Sequence, residues 1–465
     1  MFQDIPVEVS VIYEGQRIRW PDTHVELGGP RVEHKFELVR VKPLSEVEDG
    51  RIVIIGPDLK DMEKRSYPFG LYIEVAGSQL GEELEGVIER RIHEYCNYIE
   101  GFMHVNQRYD IQIRLSEKSY KKGLNSFQII GKVLCRLFKS ELPIIERIQI
   151  TFITDPEKVA DMYREALGIY EKRDARVRGL KDEDVSEFYG CNLCQSFAPT
   201  HSCIITPQRY SNCGAISWFD ARASAMVDPK GPIFRIEKGD CLDPLKGEYT
   251  GTNDSIRKNT GGEITRVWLY TAFGYPHTSC GCFEGVAFYI PEVDGLGIVH
   301  RGFRGPTVNG LPFSALADST AGGRQIDGFH GISIEYMRSK KFLQADGGWK
   351  RIVWMPEAIK ERIKDFIPKD IVDKIATEKD ASTVEELRIF LEKGGHPIVE
   401  RWKEKEKEAE VRPRLAEPVV TEDKVEAPEA LLKGTITTVA APGTFRIVLK
   451  NARIRAEKIT IKRLD

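Results

Sequence analysis

The chain has 465 residues, of which 41% are apolar and 30% charged, and its formal net charge is −3. This length fits two or three domains, and the composition is that of a globular protein with a sizeable core. The charge balance gives no basic field for nucleic acid, and we expect neither a secretory leader nor a membrane span, hence a cytoplasmic protein.

The first 185 residues alternate between strand-like and helix-like patterns. Apolar residues at helical spacing predict helices at 84–99, 126–142 and 156–173. The alternation predicts an α/β domain over 1–185, with the charged segment 171–190 as its junction to the next domain. The strand-like runs are VEVSVIY (7–13), RIVIIG (51–56), LYIEVAG (71–77), DIQIRLS (110–116) and IQITFIT (148–154).

Residues 186–402 are richer in glycine and cysteine. Helices are expected between 356 and 394, one of them beginning at Ser382, because Ser382 and Glu385 have capping-box spacing. The predicted fold class is α/β (mixed α+β), with two α/β domains of which the second carries the candidate metal ligands. Its predicted strands are TRVWLYT (265–271), EGVAFYI (284–290) and LGIVHR (296–301).

The end of the chain changes composition twice. Charge runs and scattered prolines over 403–432 predict an exposed linker, or a solvated helix that gives way to one. Residues 433–465 alternate like short strands around an APGT turn and contain eight Lys/Arg against two Asp/Glu. They predict a small, basic, β-rich segment.

Seven of the nine cysteines fall between 191 and 282, which favours metal binding or catalysis over disulfides. Four thiolates at short spacing can hold a [4Fe–4S] cluster or a structural zinc ion, or can be buried thiols. The spacing C-x2-C-x8-C-x9-C favours the cluster, because zinc ribbons more often supply two C-x2-C pairs. The four are Cys191, Cys194, Cys203 and Cys213.

A second motif places Cys280 and Cys282 on either side of Gly281. A disulfide between cysteines this close would be strained. Two thiolates and two deprotonated amide nitrogens would instead offer a planar S, N, N, S strap, which suits Ni(II) or Cu(II) and leaves both sulfurs free to reach a second metal. The alternative is an exposed turn with two free thiols.

The two motifs together identify a family. Over about residues 1–400, the chain resembles the β subunit of the archaeal carbon monoxide dehydrogenase/acetyl-CoA synthase complex and the C-terminal two-thirds of bacterial acetyl-CoA synthase. The motifs that carry the resemblance are CNLCQSFAPTHSC (191–203), SNCGAISW (211–218), TSCGCFE (278–284) and SKKFLQADGGWKRIVWMP (339–356).

The resemblance implies a role for each motif residue. Cys194 would be shared between a [4Fe–4S] cluster and a proximal nickel ion, and the Cys280-Gly281-Cys282 strap would bind a distal nickel ion. The sulfurs of Cys280 and Cys282 would also reach the proximal nickel, and Phe197 matches an aromatic residue beside it. The implied cluster ligands are Cys191, Cys194, Cys203 and Cys213.

The resemblance also implies an activity, that of a CO-methylating acetyl-CoA synthase that assembles or cleaves acetyl-CoA. The implied partners are the dehydrogenase subunits as the source of CO, a corrinoid iron–sulfur protein as the methyl donor, CoA, and ferredoxin for reductive activation. We hypothesise that 433–465 docks other subunits. An Fe–S electron carrier with incidental Cys-Gly-Cys thiols and a zinc-stabilised scaffold are the competing hypotheses.

CoA needs basic contacts for its phosphates, and the family places CoA in the first domain. Arg108 and Arg114, just before and within the strand at 110–116, are the candidates, together with Lys118, Lys121 and the run 172–181.

Several other residues carry simpler expectations. We expect His201 to make a structural hydrogen bond rather than bind metal, and we assign no role to Cys241. The glycines of AGGRQIDGFHG (321–331) are expected in turns near the active site. Cys96 and Cys135 lie on apolar helix faces and are expected in the core.

Overall fold

Strands and helices alternate along the first part of the chain, as predicted. The structure is a computed structural model that describes residues 1–411, so the predicted segment 433–465 and most of the predicted linker lie outside the described residues. The elements up to residue 175 are β1 (Thr23–Gly28), β2 (Lys35–Val41), β3 (Ile52–Ile55), β4 (Ser66–Tyr67), β5 (Phe69–Ala76), α1 (Glu85–Asn97), β6 (Phe102–Val105), β7 (Gln112–Ser116), α2 (Glu117–Lys121), α3 (Phe127–Glu141), β8 (Arg147–Ile153) and α4 (Pro156–Ala175).

These strands form two four-stranded sheets, ordered β4-β1-β7-β6 and β2-β5-β8-β3. The second is mixed, because β5 runs parallel to β2 and antiparallel to β8. The helices begin where their sequences provide caps: the Ser126 side chain accepts from Gln128 N at the start of α3, and Asp155 accepts from Lys158 N at the start of α4. Apolar residues of α1 and α3 pack with both sheets in one core.

The second part holds shorter elements around irregular loops. Its sheets are ordered β10-β9-β11, β12-β13 and β16-β14-β15-β17. The mixed α/β class is confirmed. The elements are β9 (Glu187–Cys191), β10 (Cys203–Ile205), α5 (Trp218–Val227), β11 (Ile233–Glu237), β12 (Cys241–Asp243), β13 (Glu248–Tyr249), α6 (Thr250–Asn259), β14 (Gly285–Ile290), β15 (Gly295–His300), α7 (Phe313–Thr320), β16 (Phe329–Ile332), α8 (Ile334–Met337), β17 (Ile352–Trp354), α9 (Glu357–Ile363), α10 (Val384–Lys393) and α11 (Ile398–Val411).

Two predicted strands are wrong. In 7–13, residues Val11–Tyr13 form a 3-10 turn that begins at Ser10, whose side chain accepts from Ile12 N, and Val11 and Ile12 are exposed. In 265–271, only Trp268 makes a β-bridge, to Pro276. Val9 in the first segment likewise makes one isolated β-bridge, to Ile99. Both segments are apolar, but neither extends its single bridge into a ladder.

The predicted start of the helix near Ser382 is wrong by one residue. Thr383 is the N-cap of α10, and its hydroxyl accepts from Glu386 N. Ser382 instead donates its hydroxyl to the Glu386 carboxylate at 2.8 Å. The motif is therefore a cap that uses Glu386 rather than Glu385.

Residues 1–407 form one compact unit. In the described chain, every sheet lies wholly before or wholly after residue 185, yet one apolar core contains Phe36 and Ile153 from the first part together with Leu296 from the second. The boundary between 1–185 and 186–402 stays a prediction. Within residues 1–411, no helix combines the length and apolarity needed to span a membrane.

Candidate metal centre

The four cysteines of the first motif are all buried. Cys191 ends β9 and Cys203 begins β10, where the two residues are direct partners in the antiparallel ladder. Cys194 lies in the loop between these strands, and Cys213 precedes α5. Cys191, Cys203 and Cys213 share an apolar cluster with Leu193, Tyr189 and Trp218, among others.

Burial makes these thiols costly to ionise unless a cation joins them. It raises the pKa of the Cys191 and Cys203 thiols, and raises that of Cys213 to about 12 although the Arg90 charge opposes the shift. Four buried thiols without carboxylates or imidazoles among them form a soft donor set, which fits an Fe–S cluster or zinc better than magnesium or calcium.

The Cys280-Gly281-Cys282 strap lies just before β14. Gly281 has φ +133°, a conformation that a residue with a Cβ rarely adopts. The amide nitrogen of Cys282 donates to Cys280 Sγ at 3.2 Å, so this nitrogen and that sulfur face the same side of the strap. An S, N, N, S chelate requires this arrangement.

The strap meets the first motif at Cys194. The sulfurs of Cys194, Cys280 and Cys282 all lie within 4.8 Å of one another, and within the described chain they are the only such group of three or more Cys, His, Asp or Glu ligand atoms. Phe197 and Ala198 pack against the three sulfurs. This three-sulfur site can hold one metal ion.

The three thiols form a hydrogen-bonded set. Hydrogen bonds from Cys194 and Cys280 hold the pKa of Cys282 well below its usual value, and hydrogen bonds with Cys194 and Cys282 raise the pKa of Cys280. The charges of Cys194 and Cys282 also raise the pKa of Cys280, and a bound metal cation would relieve this repulsion between the three neighbouring sulfurs.

Arg90 of α1 lies against this site. Its Nη2 donates to Cys194 Sγ at 3.3 Å, the residue is 1% exposed, and its Nη1 has no hydrogen-bond partner among the described residues. Burial alone would lower the pKa of Arg90, but the charges of Cys194, Cys282 and Cys213 raise it. A buried cation needs a countercharge, which the cysteines beside Arg90 supply when they are thiolates.

A buried polar chain leads away from Cys282. His93 Nε2 lies 3.7 Å from Cys282 Sγ, and His93 Nδ1 lies 3.0 Å from His104 Nδ1. His104 Nε2 lies 2.8 Å from Glu37 Oε2, and both of these side chains are fully buried. These hydrogen bonds hold the His93 ring against the three-sulfur site.

Two segments of the chain donate hydrogen bonds to main-chain oxygens in and next to the strap. Arg301, just after β15, donates from Nη2 to Gly281 O and, at 3.0 Å, to Phe283 O. The turn after α7 donates from Gly322 N to Cys280 O at 3.2 Å and from Gly323 N to Ser279 O at 2.9 Å. The predicted glycine turn therefore lies directly against the strap.

His201, Cys96 and Cys135 lie as expected. His201 Nδ1 lies 2.9 Å from Thr278 Oγ1, a structural hydrogen bond. Cys96 and Cys135 are buried in the core of the first part, and Cys241 is exposed.

The two arginines proposed for CoA have different surroundings. Arg108 is 2% exposed and ion-paired with Glu89 at 3.3 Å and Asp174 at 3.0 Å, so its guanidinium has no open face for a phosphate. Arg114 is partly exposed, although it is ion-paired with Glu26 at 2.8 Å.

Arg90, His93 and Arg301 were missed from the sequence. Arg90 and His93 lie on a helix recognisable only by its apolar stripe, and Arg301 follows an ordinary strand. Nothing local distinguishes them from solvated charges. Their closeness to the cysteines depends on how distant segments pack.

Comparisons with known proteins place this arrangement in a family. Residues 5–159 match the family described as CO dehydrogenase/acetyl-CoA synthase complex beta subunit, and residues 170–402 match the family described as the C-terminal part of the ACS/CODH beta subunit.

The chain is also similar to complete β subunits of archaeal acetyl-CoA decarbonylase/synthase complexes. The chain is 53% identical to the acetyl-CoA decarbonylase/synthase complex subunit beta of Methanothermobacter thermautotrophicus, over 100% of both chains. It is 51% identical to the corresponding subunit of Methanopyrus kandleri, over 99% of this chain and 98% of that one. It is 52% identical to subunit beta 2 of Methanocaldococcus jannaschii, over 99% and 97%.

Proposed function

The chain belongs to the β-subunit family of the CO dehydrogenase/acetyl-CoA synthase complex, and from this we propose that it is a CO-methylating acetyl-CoA synthase. It would join a corrinoid-borne methyl group, CO and CoA into acetyl-CoA, or run the reverse cleavage. The observation that carries the proposal is the three-sulfur site, in which Cys194 lies within 4.8 Å of Cys280 and Cys282.

The residues fit the metals that the family implies. Cys194 would be shared between a [4Fe–4S] cluster and a proximal nickel ion, and the Cys280-Gly281-Cys282 strap would hold a distal nickel ion by S, N, N, S. When bound, the nickel centre would supply a low-valent, thiolate-ligated site for CO and a methyl group. The proposed cluster ligands are Cys191, Cys194, Cys203 and Cys213.

The protein contributes charge balance and exclusion of water. Arg90 provides a buried positive charge beside a set of thiolates, and its unpartnered Nη1 is a donor inside the site. Phe197 and Ala198 cover the sulfurs with apolar surface, which limits access of water to the reacting groups. Phe197 is partly exposed, so the cover is open on one side.

For CoA, the geometry favours the neighbourhood of Arg114. The ring of Trp20 lies 3.7 Å from the Arg31 guanidinium carbon, 4.6 Å from that of Arg65 and 5.9 Å from that of Arg114. Arg31 and Arg65 are exposed. Exposed guanidinium groups around an aromatic ring suit a ligand with several phosphates and an adenine base.

The proposed partners follow from the substrates. The dehydrogenase subunits would supply CO, a corrinoid iron–sulfur protein the methyl group, and ferredoxin the electrons for activation. The proposal that 433–465 docks other subunits concerns residues outside the described part of the chain.

Metal analysis of the anaerobically purified protein tests the proposal. We expect nickel together with about four irons per chain, the iron count of one [4Fe–4S] cluster. We expect Cys282→Ser to lose acetyl-CoA synthesis and most of the nickel while keeping iron, because one sulfur serves both the strap and the three-sulfur site. Cys241→Ser, which changes an exposed cysteine away from the site, should leave both metals unchanged.

The competing hypotheses predict different outcomes. Iron without nickel would favour an electron-transfer protein, and zinc without visible charge-transfer absorbance would favour a zinc-stabilised scaffold. Retained acetyl-CoA synthesis in Cys282→Ser would contradict the assigned role of the strap.

A further inference from the structure

The strap contains two amide groups whose nitrogens would bind the metal and whose oxygens would share the resulting negative charge. If nickel binds by S, N, N, S, as in the proposed function on which this inference rests, Ni²⁺ replaces two amide protons and two thiol protons, and four protons pass to solvent. Each deprotonated amide shares its negative charge with its own carbonyl oxygen through resonance. The charge of Gly281 N reaches Cys280 O, and that of Cys282 N reaches Gly281 O.

Both of these oxygens face a hydrogen-bond donor. Cys280 O accepts from Gly322 N at 3.2 Å, and Gly281 O accepts from Arg301 Nη2. The second donor is a cation, and hydrogen bonds to charged groups are roughly twice as strong as neutral ones. Each of the two oxygens that would carry the delocalised charge of a nickel-bound strap thus accepts a hydrogen bond.

The Arg301 side chain is held in place for this contact. Its Nε and Nη2 both donate to Phe283 O, at 3.2 and 3.0 Å, and its guanidinium carbon lies 5.5 Å from the Phe283 ring and 5.2 Å from the Phe313 ring. Among the described residues, the side-chain hydrogen bonds of Arg301 go to main-chain oxygens only, so its charge faces these oxygens and the strap. A side chain that merely anchored the loop would not need a positive charge.

We propose that Arg301 is a positioning residue that, with Gly322 N–H, stabilises the negative charge of the two strap amides when a metal replaces their protons. The pair acts on the strap as an oxyanion hole acts on a developing alkoxide, by placing donors where charge appears. Arg301 contributes through the amide oxygen and does not ligate the metal.

The test compares three variants after the metals are removed anaerobically and the iron–sulfur cluster is rebuilt. Arg301→Met removes the charge and the donors, and Arg301→Lys keeps the charge and one flexible donor. Arg324→Met is the matched control, because Arg324 also donates to main-chain oxygens beside the site, those of Ala321 and Asp318, but not to the strap. Ni²⁺ is titrated against a chelator and followed by the visible absorption of planar Ni(II).

We expect Arg301→Met to weaken nickel binding about tenfold or more, Arg301→Lys to recover part of the loss, and Arg324→Met to match the wild type. The ligand-field band of the nickel bound to Arg301→Met should move to higher energy, because charge withdrawn less toward oxygen makes the amide nitrogens stronger donors. A purely structural role would not move this band.

The proposal is overturned if Arg301→Met and Arg301→Lys both keep the wild-type nickel affinity and band position. If Arg301→Met also fails to rebuild the cluster, Arg301→Lys decides alone: unchanged affinity and band position overturn the proposal, and a weakened affinity with iron intact supports it. A wild-type protein that takes up no nickel at the strap would instead contradict the proposed function itself, so the two failures are distinguishable.

Discussion

Gly281 is the residue on which the geometry of the strap depends. Its φ of +133° turns the Cys282 amide nitrogen toward Cys280 Sγ, which sets sulfur and nitrogen on one side. Space is not the constraint, because a Cβ at this position would meet Ala321 Cβ and Phe197 Cε2 only at ordinary contact distances of 3.5 and 3.9 Å. The backbone angle alone requires glycine.

We therefore expect Gly281→Ala to impair nickel binding through backbone strain. The substitution should cost about 1–3 kcal/mol of local conformational energy and lower the nickel content while leaving iron unchanged. Gly261→Ala is the control, since Gly261 also has a positive φ, of +62°, but has open space around it and lies outside the site. Nickel and iron per chain are measured for both variants.

Equal nickel loss in the two glycine variants would mean that strain anywhere in the unit affects the metal. Full nickel retention in Gly281→Ala would show that the strap tolerates another backbone conformation.

The candidate metal ligands could be predicted from the sequence, whereas the residues that surround them could not. Cys194, Cys280 and Cys282 were predicted as one site from the family resemblance, and their sulfurs lie together. Arg90 and Arg301 could not be predicted, because a charged residue on a helix or after a strand is usually solvated. Their positions beside the cysteines result from packing between segments far apart in the chain.

At the scale of elements, α1 links the first part of the chain to the sulfurs of the second. Its Arg90 donates to Cys194 and its His93 lies 3.7 Å from Cys282. The neighbouring Arg91 instead forms an ion pair with Glu94 at 2.7 Å. Of these two adjacent arginines, Arg90 therefore directs its charge to the three-sulfur site, whereas Arg91 directs its charge to a carboxylate of its own helix.

We expect Arg90→Met to lower both iron and nickel per chain, because the buried thiolates lose their countercharge. Breaking a buried ionic contact from one side typically costs about 3–5 kcal/mol. Arg91→Met removes a less buried arginine of the same helix and should leave both metals at wild-type levels. The measurements are metal content and the midpoint of chemical unfolding.

Unchanged metal content in Arg90→Met would contradict the countercharge role. A loss shared equally by Arg91→Met would point to the helix rather than to the charge of Arg90.

The predicted helices formed where apolar residues recur at helical spacing, and the predicted strands formed where a neighbouring strand could accept their hydrogen bonds. The helices α1, α3 and α4 and the strands β3, β5, β7, β8, β14 and β15 follow their predicted segments within one or two residues for most ends. The segments 7–13 and 265–271 have strand-like composition without a partner strand. Conversely, β1 and β2 were not predicted, although both are buried strands of the two first sheets.

At the scale of the whole molecule, buried histidines make the fold sensitive to acid. His396 is 1% exposed, its Nε2 donates to Ile352 O at 3.0 Å, and its Nδ1 accepts from Ile398 N at 3.1 Å, so the neutral ring is fully bonded. Burial lowers the pKa of His396 to about 4. Burial also holds the pKa of His277 and of His330 well below the usual value.

The free energy of unfolding decreases with falling pH, because the unfolded state binds protons at these histidines more readily than the folded state. A histidine whose pKa is lower in the folded state stabilises the fold above its unfolded pKa, near 6.5, and this contribution is lost as the pH falls toward 4. For His396 the loss between pH 7 and pH 5 is about 2 kcal/mol.

We expect His396→Gln to reduce the acid sensitivity of the fold. Glutamine can still donate to Ile352 O and accept from Ile398 N, but it does not titrate. The free energy of unfolding, measured by denaturant at pH 7 and pH 5, should fall by about 2 kcal/mol less in the variant than in the wild type. An identical pH dependence in the two proteins would contradict the assignment.

The three-sulfur site has a consequence for the timing of maturation. Cys194 lies between β9 and β10, Cys280 and Cys282 come just before β14, and Arg90 comes from α1, so the site exists only after these segments have packed. A metal ion that needs all three sulfurs, such as the proposed nickel, would accordingly bind a folded polypeptide, after synthesis has passed residue 282. Cys282 is the most exposed of the three cysteines, which makes its side of the site the natural point of entry for that late delivery.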